Sequence, residues 1–359
     1  MTVSPALRIF AWLSFLAEVI IIGTGGAVRL TGSGLGCDQW PLCTPGSLVP
    51  TAEQGFHGII EFGNRTMTGA VGIVALVVLF LVLHATARWR AVVPAALFAV
   101  GGVVTAGASY AVLNMIGASG VGSVVMSVVL LLAVLAGAAV SIATARARRD
   151  LVVLAWLVLI GVMAQAVVGG SAVLTGLNPF IVGFHYASSL TLACITAAFL
   201  VRLSATPGPR ELAVPRPFAA LVHSTSLVLA VTIFFGVLTT ANGPHSGDEN
   251  VVRNGFDATW LAHVHSWPGY ILFALALALV VISYAKRLPT RGWSAAFLAV
   301  LVLQIAVGVW QARAALPPLL VGIHMVVAAL AASAFVVMVL RMKRPSRADL
   351  PAEQAVAAR

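Results

Sequence analysis

Six residues recur in one order along the chain: Gln165, Gly169, Pro179, Val182, Gly183 and His185, then Gln304, Gly308, Pro318, Val321, Gly322 and His324. Each member of the second set follows its partner by 139 residues. The pattern is an internal duplication that puts one histidine near the start of a helix in each half. Both copies stand in long apolar runs, where a strongly polar side chain is costly unless it faces a partner or a cavity. A duplicated histidine therefore points to a duplicated site.

The chain has eight histidines, and their positions sort them. His84 falls at a helix end and His245 in a loop, whereas His57, His185, His223, His263, His265 and His324 lie in or beside helices. Neutral imidazole is a good axial ligand for haem iron, and facing helices of a bundle are where such ligands are built. His265 and His324 are the favoured pair, because their helices are expected to enter from the same side and to bring both to one depth. His263 stands about 200° round the helix from His265, so one of the two faces the partner. Histidines in membrane helices also simply hydrogen-bond a neighbour, and that alternative stays open. In the first half His185 is the counterpart of His324, and Asn64 occupies the place of His265. Asparagine is a poor iron ligand, so one pocket is expected to be closed and the other open.

Glu61 lies where a loop enters a helix, one turn after His57 and on the same face. It either complements the helix dipole or accepts protons in a partly desolvated cavity. Glu18, midway along the first apolar run, is weighed evenly between helix pairing and function. Arg29, Arg65 and Arg313 stand at helix ends away from the other basic residues; they either snorkel or pair with carboxylates such as haem propionates. Cys37 and Cys43 flank Asp-Gln-Trp-Pro-Leu. A short loop with a turn-forming proline in an oxidising compartment can close a disulfide there, and no second ligand pair stands at a zinc spacing. Cys194 reads as inert core.

The elements that must position these residues are membrane helices. Hydrophobic residues make up 60% of the chain and charged ones 9%, which excludes a soluble globular domain. Apolar runs near 8–28, 62–84, 91–113, 120–144, 152–174, 181–203, 217–241, 261–285, 292–312 and 318–341 predict about ten spans. The formal charge of +10 is no sign of a nucleic-acid partner, because the arginines and lysines gather in alternate connections as the positive-inside rule requires. Both termini are then cytoplasmic, and loops 29–61 and 242–260 lie outside. The first run reads as a retained helix rather than a cleaved signal peptide.

The duplication extends weakly to Val28, Thr31 and Gly34, matched by Val237, Thr240 and Gly243. The predicted fold is an all-α polytopic bundle of two pseudo-symmetric four-helix halves, 1–203 and 204–341, with a cytoplasmic tail over 342–359 expected to be disordered. Segment 91–144 has no counterpart. It is read as an extra two-helix hairpin packed at the periphery through small residues.

Together these residues resemble the haem A synthase family of the actinobacterial type. The resemblance is carried by GGAVRLTGSGLGC at 25–37, Trp40-Pro41-Leu42-Cys43, HGIIEFGNR from His57, both Gln-to-His hairpins and Gly243-Pro244-His245, in one order over nearly the whole chain. It implies an eight-helix bundle in the cell membrane that oxidises a methyl group of haem O to the formyl group of haem A, through successive hydroxylations and loss of water. It further implies a b-type haem on His265 and His324, haem O in the N-terminal half near His185, and Glu61 as the carboxylate beside the reacting carbon; His57, Asn64, Arg65, Arg29 and Arg313 are the other residues expected to bind haem. The two outer-loop cysteines match the family's pair, and the farnesyltransferase that makes haem O is the implied partner. Many relatives have histidine at the position of Asn64, and the hairpin at 91–144 exceeds the usual helix count. Assembly as a homo-oligomer is left open. Competing readings are a membrane b-type cytochrome in electron transfer and a haem transporter.

Overall fold

The computed structural model describes residues 3–145, 147–248, 251 and 255–346. Among them ten helices are long and apolar enough to cross a membrane, and the chain is a multi-pass membrane protein. They are α1 (Pro5–Leu30), α2 (Gly55–Ala87), α3 (Trp89–Met115), α4 (Ser119–Thr144), α5 (Arg149–Leu174), α6 (Pro179–Leu203), α7 (Arg216–Asn242), α8 (Ala258–Ala285), α9 (Arg291–Arg313) and α10 (Pro318–Arg341). At ~1.5 Å per residue even the shortest exceeds the ~30 Å of a hydrocarbon core. The expected count holds, and the main shift is at α2. It starts at Gly55, so Glu61 lies inside the helix rather than before it.

The repeat is written in the backbone as well as in the side chains. Pro179 and Pro318 each open a helix, where the missing N–H costs nothing and the fixed φ favours the first turn. Before them, Gly176 and Leu177 take φ of 62° and 60°, and Ala315 and Leu316 take 60° and 58°. The same bond closes both turns: Leu177 N–H donates to Ala172 O at 2.7 Å, and Leu316 N–H to Gln311 O at 2.8 Å. These bonds satisfy carbonyls that the helix end leaves free.

α1, α2, α5 and α6 pack as one group and α7 to α10 as another. The first has a core around Leu7, Val82, Leu151 and Phe199; the second centres on Leu279, Phe297, Phe335 and Met338. Between them lie Ile22, Leu190, Ala193, Met325 and Ala329. Tyr186 Oη donates to Met325 O at 3.0 Å, and these two residues are themselves counterparts in the repeat. Gly183 of α6 lies against Val237 of α7, and Gly322 of α10 against Leu30 of α1. Each hairpin thus leans its glycine on the opening helix of the other half.

The extra hairpin α3–α4 packs chiefly on itself, with Gly102 against Ala133, and borders α2 and α5. The expected disordered tail begins differently. Lys343–Pro345 (β2) pairs antiparallel with Arg210–Leu212 (β1), held by Arg344 Nε to Glu211 Oε1 at 2.8 Å and by buried Met342. Backbone pairing to a linker strand orders these residues although their composition reads as a loose end. From 347 on, the tail lies outside the described residues.

Candidate functional site: one open cavity and one closed histidine pair

In the first half a cavity of about 330 Å³ opens among α1, α2, α5 and α6. Its walls carry Glu18, Arg29, Glu61, Asn64, Arg65, Gln165, Gly169 and His185, and Trp40 and Pro41 roof it. His185 reaches this wall from the second turn of α6, and Gln165 fixes it. His185 Nδ1 and Gln165 Oε1 are 3.0 Å apart, and Gln165 Nε2 donates to His185 O at 2.9 Å and to Ser189 Oγ. Ser188 Oγ donates to Gln165 Oε1 at 3.1 Å. With Nδ1 occupied, Nε2 is the nitrogen left for a metal. Gly169 stands beside the ring, 3.3 Å from Cε1 to where a Cβ would be. Asn64 lines the same cavity, with Oδ1 accepting from Thr24 Oγ1 at 2.8 Å.

The roof is tied down by one ion pair. Glu61 is 4% exposed; its Oε1 accepts from Arg65 Nη2 at 2.6 Å and its Oε2 from Cys37 N–H at 2.7 Å. Arg65 also donates to the carbonyls of Gln39, Leu42 and Cys37 at 3.0, 2.7 and 2.8 Å. Five fixed donors suit it to gather loop carbonyls. A disulfide joins Cys37 to Cys43, and Trp40 lies flat over Gly170 of α5. Arg29 reaches the other way, donating Nε to His245 O at 2.8 Å and Nη2 to Thr240 O. Gly34 N–H donates to Gly247 O at 2.8 Å. The two long loops therefore share one end of the bundle.

The second half presents a different arrangement. His265 of α8 and His324 of α10 face each other with ring centres 6.3 Å apart and planes at 81°. Two metal–nitrogen bonds of ~2.0 Å, plus the reach from each nitrogen to its ring centre, give about this spacing. His265 Nδ1 is bonded to Thr232 O at 2.9 Å, which leaves Nε2 toward the partner. His324 Nδ1 is buried with no hydrogen bond of good geometry, although the backbone of Gln304 lies beside it. A Cβ on Gly236 would come within 2.8 Å of the His265 ring, and one on Gly308 within 3.0 Å of His324. Among the described residues no three His, Cys, Asp or Glu side chains gather as a metal cage. Two imidazoles alone suit a metal whose other positions a macrocycle fills.

The sequence matches the family COX15-CtaA, described as cytochrome oxidase assembly protein, over residues 8–112 and 121–336. The chain belongs to this family. Among curated relatives, heme A synthase of Exiguobacterium sibiricum is 38% identical over 71 residues, covering 20% of this chain and 23% of its own. Heme A synthase of Halalkalibacterium halodurans is 36% identical over 73 residues, 20% of this chain and 24% of its own. Protoheme IX farnesyltransferase of Thermus thermophilus is 38% identical over 73 residues, 20% of this chain and 12% of its own. The matched stretch spans about a quarter of each heme A synthase relative.

Within this COX15-CtaA chain the expected site residues divide. Glu61, Asn64, Arg65, Arg29 and His185 line one cavity, and His265 meets His324. His57 does neither: it is exposed, with Nδ1 2.9 Å from Ser33 Oγ. His263 is likewise exposed. Arg313 is exposed at the end of α9 and is not among the lining residues. Arg65 points at loop carbonyls rather than into the cavity's centre. Sequence reasoning left out Trp40, Tyr186 and Gln165 as site residues. Gln165 was visible in the repeat itself; nothing local marked Trp40 as a roof.

Proposed function

We propose that this protein is a haem A synthase, an oxidoreductase that converts a methyl group of haem O to the formyl group of haem A. The observation that carries the reading is the asymmetry between the halves. One histidine pair is closed on itself, while a single histidine lines a cavity that also holds an asparagine and a carboxylate. Family membership and the heme A synthase relatives support it. On this reading the protein sits in the cell membrane with the two long loops outside, the arginine-rich connections inside, and residues 1–203 and 204–341 as substrate and cofactor halves. The farnesyltransferase that makes haem O is the supplying partner.

The residues of the second half fit a b-type haem. His265 and His324 would hold it, and bound there it supplies one-electron transfer. Oxidising a methyl to a formyl group removes four electrons and four protons, with the oxygen atom supplied by water in the overall balance and the electrons passing to an external electron acceptor. The chain's own part is positioning and proton handling. His185, held in one tautomer by Gln165, would hold the substrate iron, and Asn64 in the same cavity would be a poor second ligand. Arg29 at the mouth offers a cation to the propionates. Glu61, fixed at both oxygens, is the carboxylate that accepts protons from the reacting carbon's substituent, and the Trp40 roof limits water.

The test is a pyridine haemochrome spectrum of the purified protein with chromatography of the extracted haems. Haem B together with haem O or haem A is expected. A protein that takes up neither haem O nor haem A rules the reading out.

A further inference from the structure

The stripe of α1 that faces the cavity runs Glu18, Ile22, Gly25, Arg29. Its ends are eleven residues apart, or ~16 Å along the helix. Arg29 stands at the mouth beside the loops, and Glu18 stands at the middle of the span. Val71, Val162 and Leu192 are the deepest lining residues of α2, α5 and α6, and with Ile21 and Ile22 they make the floor apolar. Glu18 is 2% exposed, and its Oε1 is buried with no hydrogen-bond partner. A carboxyl at mid-membrane depth with an unpaired oxygen is costly, and nothing in the mechanism above uses it. Among the described residues that line the cavity, Glu18 is the polar group at the depth of this apolar floor, with the Arg29 cation at the opposite end.

We propose that Glu18 is a specificity residue that hydrogen-bonds the secondary alcohol of the substrate's isoprenoid arm. The assignment rests on the haem A synthase reading. Haem O carries two propionates on one edge and a hydroxyl at the root of a farnesyl chain on another, so a cation at the mouth and a lone acceptor or donor in an apolar floor match its polarity. Haem B has a vinyl group in place of the whole hydroxyl-bearing arm. A site built to bond a hydroxyl rejects the analogue that lacks it, because its own polar group is then left unpaired.

The test uses the full-length protein with its resident haem in lipid nanodiscs, titrated with haem O and with haem B and followed at the Soret band. Wild type is expected to prefer haem O. Glu18→Leu is expected to lower haem O affinity about tenfold and to raise haem B affinity, since no polar group is then left unpaired beside it, while Glu18→Gln, which still bonds an alcohol, keeps the preference. An unchanged resident-haem spectrum and unfolding midpoint show that both variants fold. Glu18→Leu with the wild-type ratio of affinities overturns the assignment, as does Glu18→Gln that loses discrimination equally. A wild-type protein that takes up no haem O overturns the haem A synthase reading along with it. Conversion of haem O by Glu18→Leu with wild-type discrimination overturns this assignment alone.

Discussion

Hairpins α5–α6 and α9–α10 share a turn, a proline start, a glutamine and a histidine, yet their histidines are held differently. In the first, Gln165 clasps the ring and backbone of His185, and Ser188 and Ser189 hold the glutamine in place. Their counterparts are Val327 and Ala328, which offer no hydroxyl. Gln304 Oε1 is accordingly left unpartnered, and His324 meets His265 instead. Two side chains one turn beyond the histidine thus accompany the difference between a ring fixed for an open cavity and a ring set against another imidazole. A duplicated scaffold acquires unequal sites through its neighbours, not through its ligands alone.

The largest test of this contrast is to remove each histidine. On the haem A synthase reading, His324→Ala is expected to reduce the b-type haem to background, whereas His185→Ala keeps that haem and loses bound haem O; both abolish conversion. Extracted-haem chromatography separates the two outcomes, and identical losses from both variants would erase the distinction. Next in size is Glu61→Gln, which is expected to retain both haems while haem A formation falls about 10²- to 10⁴-fold. Normal haem A production by this variant removes Glu61 from the chemistry. Asn64→His sharpens the comparison by giving the open site a second imidazole. Bound haem O should then show a low-spin spectrum like that of the resident haem, with slower conversion. The smallest effect is expected from the glutamines: Gln165→Leu should weaken haem O binding about 10- to 100-fold, and Gln304→Leu should change resident-haem retention less than about twofold. Equal penalties would mean that the serines do not matter.

Much of this was legible in the chain. Ten apolar runs, the 139-residue offset and the pairing of His265 with His324 follow from spacing and from the cost of polarity in lipid. The helical period required that one of His263 and His265 face the partner; the structure turns His265 inward and leaves His263 exposed. What spacing could not show was long-range backbone bonding. Arg65 spends its donors on the carbonyls of a loop 23 to 28 residues earlier, and Arg29 on residues more than 200 positions later. Loop carbonyls leave no mark in sequence. The clasp between β1 and β2 was missed for the same reason: two three-residue strands lie 133 positions apart in register, and neither is apolar or β-branched enough to announce itself. His57 stands one turn before Glu61 on α2 as the spacing predicts, yet it is exposed and set against Ser33 rather than the cavity.

The mouth of the first cavity is lined by Ser246 and Gly247 and braced through His245, residues that the ribosome makes only after the six helices of the first half. Gly322 of α10, nearly the last element, closes on Leu30 of α1. Biogenesis therefore sets a timetable. A chain halted after α6 has a cavity without its rim, and the compartment matures when the final helix enters the membrane. The rim of the first cavity is in this way complete only once the opposite half is present.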